Sequence, residues 1–122
     1  MKTRSETDFL TGASSRYVLD QDYDEKIENT NSVAVMMFDV DDFKKFNDGF
    51  SHLDGDICLK KVSGKVREIA EVHCGKIYRF GGEEFIVMFF NLSNWEFRSL
   101  AREISEAVYN LQIIHAPKAK WP

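Results

Sequence analysis

Two spacings organise the apolar positions of this chain. Val33 to Phe38 and Phe85 to Phe90 are unbroken apolar runs, which predict strands; the first, nearly continuous, reads as buried on both faces. Elsewhere the period lengthens to that of a helix. Leu59, Val62, Val66, Ile69 and Ala70 make one stripe in a helix over Leu53 to Glu71. Phe97, Leu100, Ala101, Ile104 and Val108 make another, opened by the capping-box pattern Ser93-Asn94-Trp95-Glu96 and reaching about Asn110. Arg16 to Glu28 predicts a first helix with Ser14 or Ser15 as its cap, and Asp42 to Asp48 a short one. Lys76 to Phe80 and Glu84 to Phe90 predict paired strands, with Gly75 interrupting before them. After the first helix the order is β-α-α-β-β-α, an incomplete form of the ferredoxin-like split βαβ arrangement: an α+β fold with an antiparallel central sheet flanked by helices.

The candidate chemistry sits where strands end. Arg79-Phe80-Gly81-Gly82-Glu83-Glu84-Phe85 places a Gly-Gly pair between apolar runs. That predicts a tight two-residue hairpin turn, in which glycine supplies positive φ. Glycines at the tip also admit a ligand close to the backbone. Glu83 and Glu84, as strand neighbours, point to opposite faces, so they serve different ends. The plainer reading is a turn with two solvated glutamates. The first strand also ends in acids. Asp39 and Asp41 are two residues apart and share a face, and hard Mg²⁺ needs one or two such carboxylates beside phosphate oxygens. Capping by Asp41 or Asp42 accounts for one acid but not for Asp39 inside the apolar run. The helix start from Phe43 to Asn47, with free N–H groups and Lys44, suits an anion.

Composition narrows the class. A chain of 122 residues with 43% hydrophobic and 30% charged residues supports one domain with a core, neither disordered nor membrane-spanning. No apolar run is long enough for a bilayer and no secretory signal opens the chain. The net charge of −4 disfavours a nucleic-acid surface, yet a bound metal still lets an acidic protein hold a triphosphate. Cys58 and Cys74 make no disulfide framework and suit a reducing cytosol; Cys58 reads as a small core residue. His73 and Cys74 with His52 and His115 match no zinc spacing.

The motifs together carry a resemblance. Asp39-x-Asp41-x-Phe43-Lys44-x-x-Asn47-Asp48, then His52-x-x-Gly55-Asp56, then Arg79-Phe80-Gly81-Gly82-Glu83-Glu84-Phe85 resembles the GGDEF domain of bacterial diguanylate cyclases. Asp8-Phe9-Leu10-Thr11-Gly12, followed by Arg16 and Tyr17, resembles that family's N-terminal signature. The resemblance implies a nucleotidyl-cyclase-like fold and the condensation of two GTP to cyclic di-GMP. It implies Mg²⁺ (or Mn²⁺) on Asp39, Glu83 and the carbonyl of Val40. Glu83 is the implied general base, and Glu84 lies near the metal. Phe43 and Lys44 hold phosphates, while Asn47 and Asp56 read guanine. Asp8 and Arg79 are expected to pair, and Gly81 and Gly82 to form the turn. A homodimer, a sensory domain or partner outside this chain, and a cytoplasmic setting are further implications. A regulatory module without catalysis is the alternative, and an RNA-binding ferredoxin-like domain is disfavoured by the acidic balance. Ser15 and Phe50-Ser51 depart from the family pattern at positions without a proposed role. Val72-His73-Cys74-Gly75 lacks the charged pair of the family's inhibitory site, which is therefore expected to be absent. The family's next strand, helix and edge strand are not found before Pro122, so low activity of the 122-residue form and an open edge on the first strand are expected.

Overall fold

A computed structural model describes residues 5–39 and 52–111. The elements are α1 (Arg16–Asn29), β1 (Val33–Asp39), α2 (His52–Val72), β2 (Lys76–Arg79), β3 (Glu84–Phe90) and α3 (Asn94–Tyr109). The strands form an antiparallel sheet in the order β1-β3-β2. Each element except the expected short helix at 42–48, which lies outside the described residues, stands within a residue or two of its sequence expectation.

One face of the sheet makes the main core. Ile77, Phe85, Val87 and Phe89 meet Leu59, Val62, Val66 and Ala70 of α2 and Leu100 and Ile104 of α3. Cys58 belongs to this core, as its apolar helix position predicts. Each large side chain buried there contributes roughly 1.5–3 kcal/mol, so this face carries most of the stability. The capping box of α3 is complete: Ser93 Oγ accepts from the Glu96 N–H, and Glu96 Oε1 accepts from the Ser93 N–H.

The opposite face holds a smaller cluster of Tyr78, Ile86 and Met88 beneath Val18 and Leu19 of α1. Two buried aliphatic residues are little for fourteen, and polar anchors supplement them. Tyr78 donates its phenol hydrogen to Asp22 Oδ2 at 2.7 Å, and Lys76 Nζ lies 2.8 Å from the same oxygen. Arg16 stands 4.2 Å over the Phe80 ring. Ser15, rather than Ser14, caps α1 by accepting from the Val18 N–H. Ser14 is needed elsewhere: its N–H donates to Ile77 and its carbonyl accepts from Arg79, which extends the sheet past β2 by one bridge.

One expectation is corrected. β1 is not buried on both faces. Ala34, Met36 and Phe38 pack into the main core, while Val35 is 45% and Met37 56% exposed. α1 packs on Tyr78 of β2 and on Ile86 and Met88 of β3, so an apolar run alone misjudged the second face of β1. α2 ends on a left-handed residue, Cys74 (φ 58°). Cys74 N donates to Glu71 O and Gly75 N to Ala70 O, the paired bonds of a Schellman motif. Glycine follows it for lack of room: a Cβ at Gly75 would stand 2.5 Å from the buried ring of Phe89.

Candidate active site at the glycine turn

β1 and β3 run antiparallel with Phe38 opposite Phe85 and Asp39 opposite Glu84. Alternation then divides the two pairs. Phe38 and Phe85 stack on the core face, with ring centroids 5.3 Å apart. Asp39 and Glu84 project together from the other face, at the very end of both strands. Like charges directly across an antiparallel pair repel, and a divalent cation bound at this end of the sheet would offset the penalty. Among the described residues no three His, Cys, Asp or Glu side chains gather closely enough to hold a metal alone. Magnesium does not require that, since it keeps waters and takes its remaining oxygens from a phosphate. The donor set therefore fits Mg²⁺.

The connection from Arg79 to Glu84 is looser than a two-residue turn. Glu84 O accepts from both the Phe80 and the Gly81 N–H, leaving Gly81, Gly82 and Glu83 to span the gap. Neither glycine adopts the positive φ expected of it; Gly12 is the one glycine among the described residues that does. The reason for glycine is space. A Cβ at Gly81 would fall 2.8 Å from Glu84 Oε1, so the missing side chain admits the folded-back carboxylate. At Gly82 a Cβ would meet nothing within 4 Å, which leaves the tip open on that side.

A second network braces this turn from below. Asp8 begins a tight loop in which its N–H donates to Ala13 O and its carbonyl accepts from Gly12. Its Oδ2 accepts from the Thr11 N–H at 3.0 Å and from Thr11 Oγ1 at 2.7 Å. Arg79 Nη1 lies 3.1 Å from the same oxygen. Burial alone would raise the Asp8 carboxyl, but the Thr11 hydrogen bonds and the Arg79 charge outweigh it and hold the group below the ordinary aspartate range. Sequence reading passed over Thr11 as a participant. The Asp-x-x-Thr spacing is the available signal, since a short acid at the first position of a turn bonds to the third residue on.

Of the other candidate residues, Asp56 lies half-buried in the first turns of α2. Val40, Phe43, Lys44 and Asn47 lie outside the described residues. The structure thus brings Asp39 and Glu84 together, places Glu83 beside them in the connection, and ties Arg79 to Asp8.

The family described as "Diguanylate cyclase, GGDEF domain" matches residues 5–120. The chain belongs to this family. It is similar to the diguanylate cyclase DgcZ of Escherichia coli (strain K12), 33% identical over 115 residues, covering 93% of this chain and 38% of that protein. It is also similar to the cyclic di-GMP phosphodiesterase PdeR of the same organism, 34% identical over 106 residues, covering 85% of this chain and 16% of PdeR. The crystal structure of the GGDEF domain of DgcB from Caulobacter crescentus in complex with c-di-GMP matches with a TM-score of 0.73 at 26% identity, over 85% of this chain and 63% of that one. The chain therefore spans well under half the length of these two curated relatives. The α+β, nucleotidyl-cyclase-like class expected from the sequence is the fold of this GGDEF domain. No helix among its described residues is long and apolar enough to cross a membrane.

Proposed function

We propose that this GGDEF domain condenses two GTP molecules to cyclic di-GMP and two pyrophosphates. The observation that carries the reading is the register that pairs Asp39 with Glu84 and so brings it to the glycine turn that carries Glu83, in a chain of this family. Two bonds form and two break. In each half-reaction the 3′-oxygen of one nucleotide attacks the α-phosphorus of the other, the bond to the β-phosphate oxygen breaks, and pyrophosphate leaves. Each domain holds one GTP, so two copies must face each other.

Asp39, Glu83 and the carbonyl of Val40 would hold Mg²⁺, with Glu84 on the Asp39 face close by. The metal, when bound, supplies the positive charge that a triphosphate and its departing pyrophosphate require. Glu83 takes the proton of the 3′-hydroxyl. Phe43 and Lys44 orient the phosphates through backbone N–H groups and the ammonium. Asn47 and Asp56 select guanine, because an ionised Asp accepts from N1–H and the exocyclic amine where adenine offers no such pair. Glu83→Gln is expected to abolish Mg²⁺-dependent conversion of GTP while leaving the thermal midpoint unchanged; unchanged turnover would sink the assignment.

The second reading is a regulatory module that binds GTP or a partner without chemistry. The similarity to a protein named as a phosphodiesterase favours keeping it, since a GGDEF-like segment there accompanies a different activity. Binding of GTP with Mg²⁺ but no cyclic di-GMP, in a chain extended at its C-terminus, would select it.

A further inference from the structure

We propose that Arg79 is a positioning residue for the acidic turn. Its guanidinium grips the carbonyls of Gly81 and Gly82 and so sets where Glu83 and Glu84 carry their carboxylates. Arg79 Nε donates to Gly81 O at 3.3 Å and Nη2 to Gly82 O at 2.7 Å. Nη1 meanwhile reaches both oxygens of Asp8, at 3.3 and 3.1 Å. Neither turn carbonyl accepts from a backbone N–H among the described residues, so this one side chain supplies their donors.

Three different nitrogens of one planar group serve three partners. A lysine ammonium on a flexible stem cannot reproduce that span, although it can still pair with Asp8. The seat of the guanidinium is itself fixed. Asp8 is held by Thr11, and Ser14 further along is bonded to the edge of β2 on either side of Tyr78, through Ile77 O and the Arg79 N–H. Arg79 and Asp8 keep only 21% and 23% of their side-chain surface exposed, so water competes less for the part-buried bonds to Asp8 and Gly81, while the bond to Gly82 is exposed. Hydrogen bonds therefore run without a break from the loop at 8–13 through Arg79 to the carbonyls of Gly81 and Gly82, which directly precede Glu83 in the chain. A simple ion pair for stability would not need the two carbonyl contacts.

The consequence for turnover rests on the GTP-condensing reading; the grip itself does not. The test uses Arg79→Lys and Asp8→Asn variants, with amide hydrogen exchange at Phe80 and Gly81 and thermal midpoint read on the 122-residue chain, and kcat and KM for GTP with Mg²⁺ read on the chain extended at its C-terminus. In Arg79→Lys, exchange at the Phe80 and Gly81 amides, both bonded to Glu84 O, is expected to rise roughly fivefold or more while exchange in the middle of β3 stays constant. Turnover should fall about tenfold or more in kcat with KM within about threefold, the split expected when geometry rather than substrate affinity is lost. Unchanged exchange in a folded Arg79→Lys protein overturns the grip. If that variant does not fold, Asp8→Asn, which keeps the guanidinium but removes its charged seat, decides by the same exchange measurement. A loosened turn with wild-type kcat overturns the positioning role. A loosened turn in a protein whose C-terminally extended wild type makes no cyclic di-GMP upholds the grip and defeats the GTP-condensing reading instead.

Discussion

Gly81→Ala separates stability from activity most sharply. The new methyl carbon would lie 2.8 Å from Glu84 Oε1 but 3.6 Å from Glu84 Cδ and 3.7 Å from its Cβ. Only one atom is too close, and it is the far end of a flexible side chain. Bringing it to an ordinary contact distance of about 3.4 Å moves the carboxylate oxygen by roughly 0.6 Å, by rotation within the side chain. The backbone accepts alanine, because Gly81 does not use a positive φ. The fold should lose under about 1 kcal/mol, and the smaller entropy of the unfolded alanine chain offsets part of that. Activity responds differently. A misplacement near 1 Å at a reacting centre costs on the order of a hundredfold, so a loss of roughly 10–100-fold in turnover is expected. Thermal unfolding and Mg²⁺-dependent GTP conversion on the same preparation measure both. Gly82→Ala is the control, since nothing stands within 4 Å of its Cβ. Gly81→Ala with turnover within twofold of wild type would refute the reasoning. An equal loss in Gly82→Ala would show that close approach of a ligand to the backbone, and not the Glu84 position, is what glycine serves.

Three further outcomes follow from named contacts. Because the folded-state carboxyl of Asp8 lies below its ordinary range, its contribution is complete above about pH 4 and is lost as pH falls through the lowered value. Asp8→Asn should cost roughly 1–2 kcal/mol near neutrality, between the exposed and buried limits for a pair, and the gap to wild type in urea unfolding should close below that pH; a gap independent of pH argues against the pairing. At the end of α2, Gly75→Ala drives a methyl into the buried Phe89 ring and should cost at least about 1–3 kcal/mol, whereas Cys74→Gly relieves a left-handed residue and should stabilise by roughly 1 kcal/mol; opposite signs in thermal midpoint are the check. Asp56→Ser should narrow the preference for GTP over ATP in competition binding, and unchanged selectivity would make Asp56 a structural residue of the first turns of α2.

The elements were legible because each obeys a local rule. The period of Leu59, Val62, Val66 and Ala70 required a helix with one apolar face, and Ser93 with Glu96 required a helix start, whatever they later packed against. The family motifs, read in order, likewise named the acids that end β1 and begin β3. Exposure of Val35 and Met37 was not legible, since an apolar run says nothing about whether α1 reaches across to β1. Nor did glycine spacing reveal why Gly75 and Gly81 are glycines: the answers are the Phe89 ring and the Glu84 carboxylate, which meet them only after the chain has folded. The same holds for the Arg79 contacts to the turn carbonyls, which exist because the loop at 8–13 holds Asp8 beside the hairpin. Periodicity, caps and motif order, properties of neighbours along the chain, determined the elements and the identity of the acids. Register, room for a side chain and the partners of a charge depend on residues distant in sequence, and only the tertiary structure decided them.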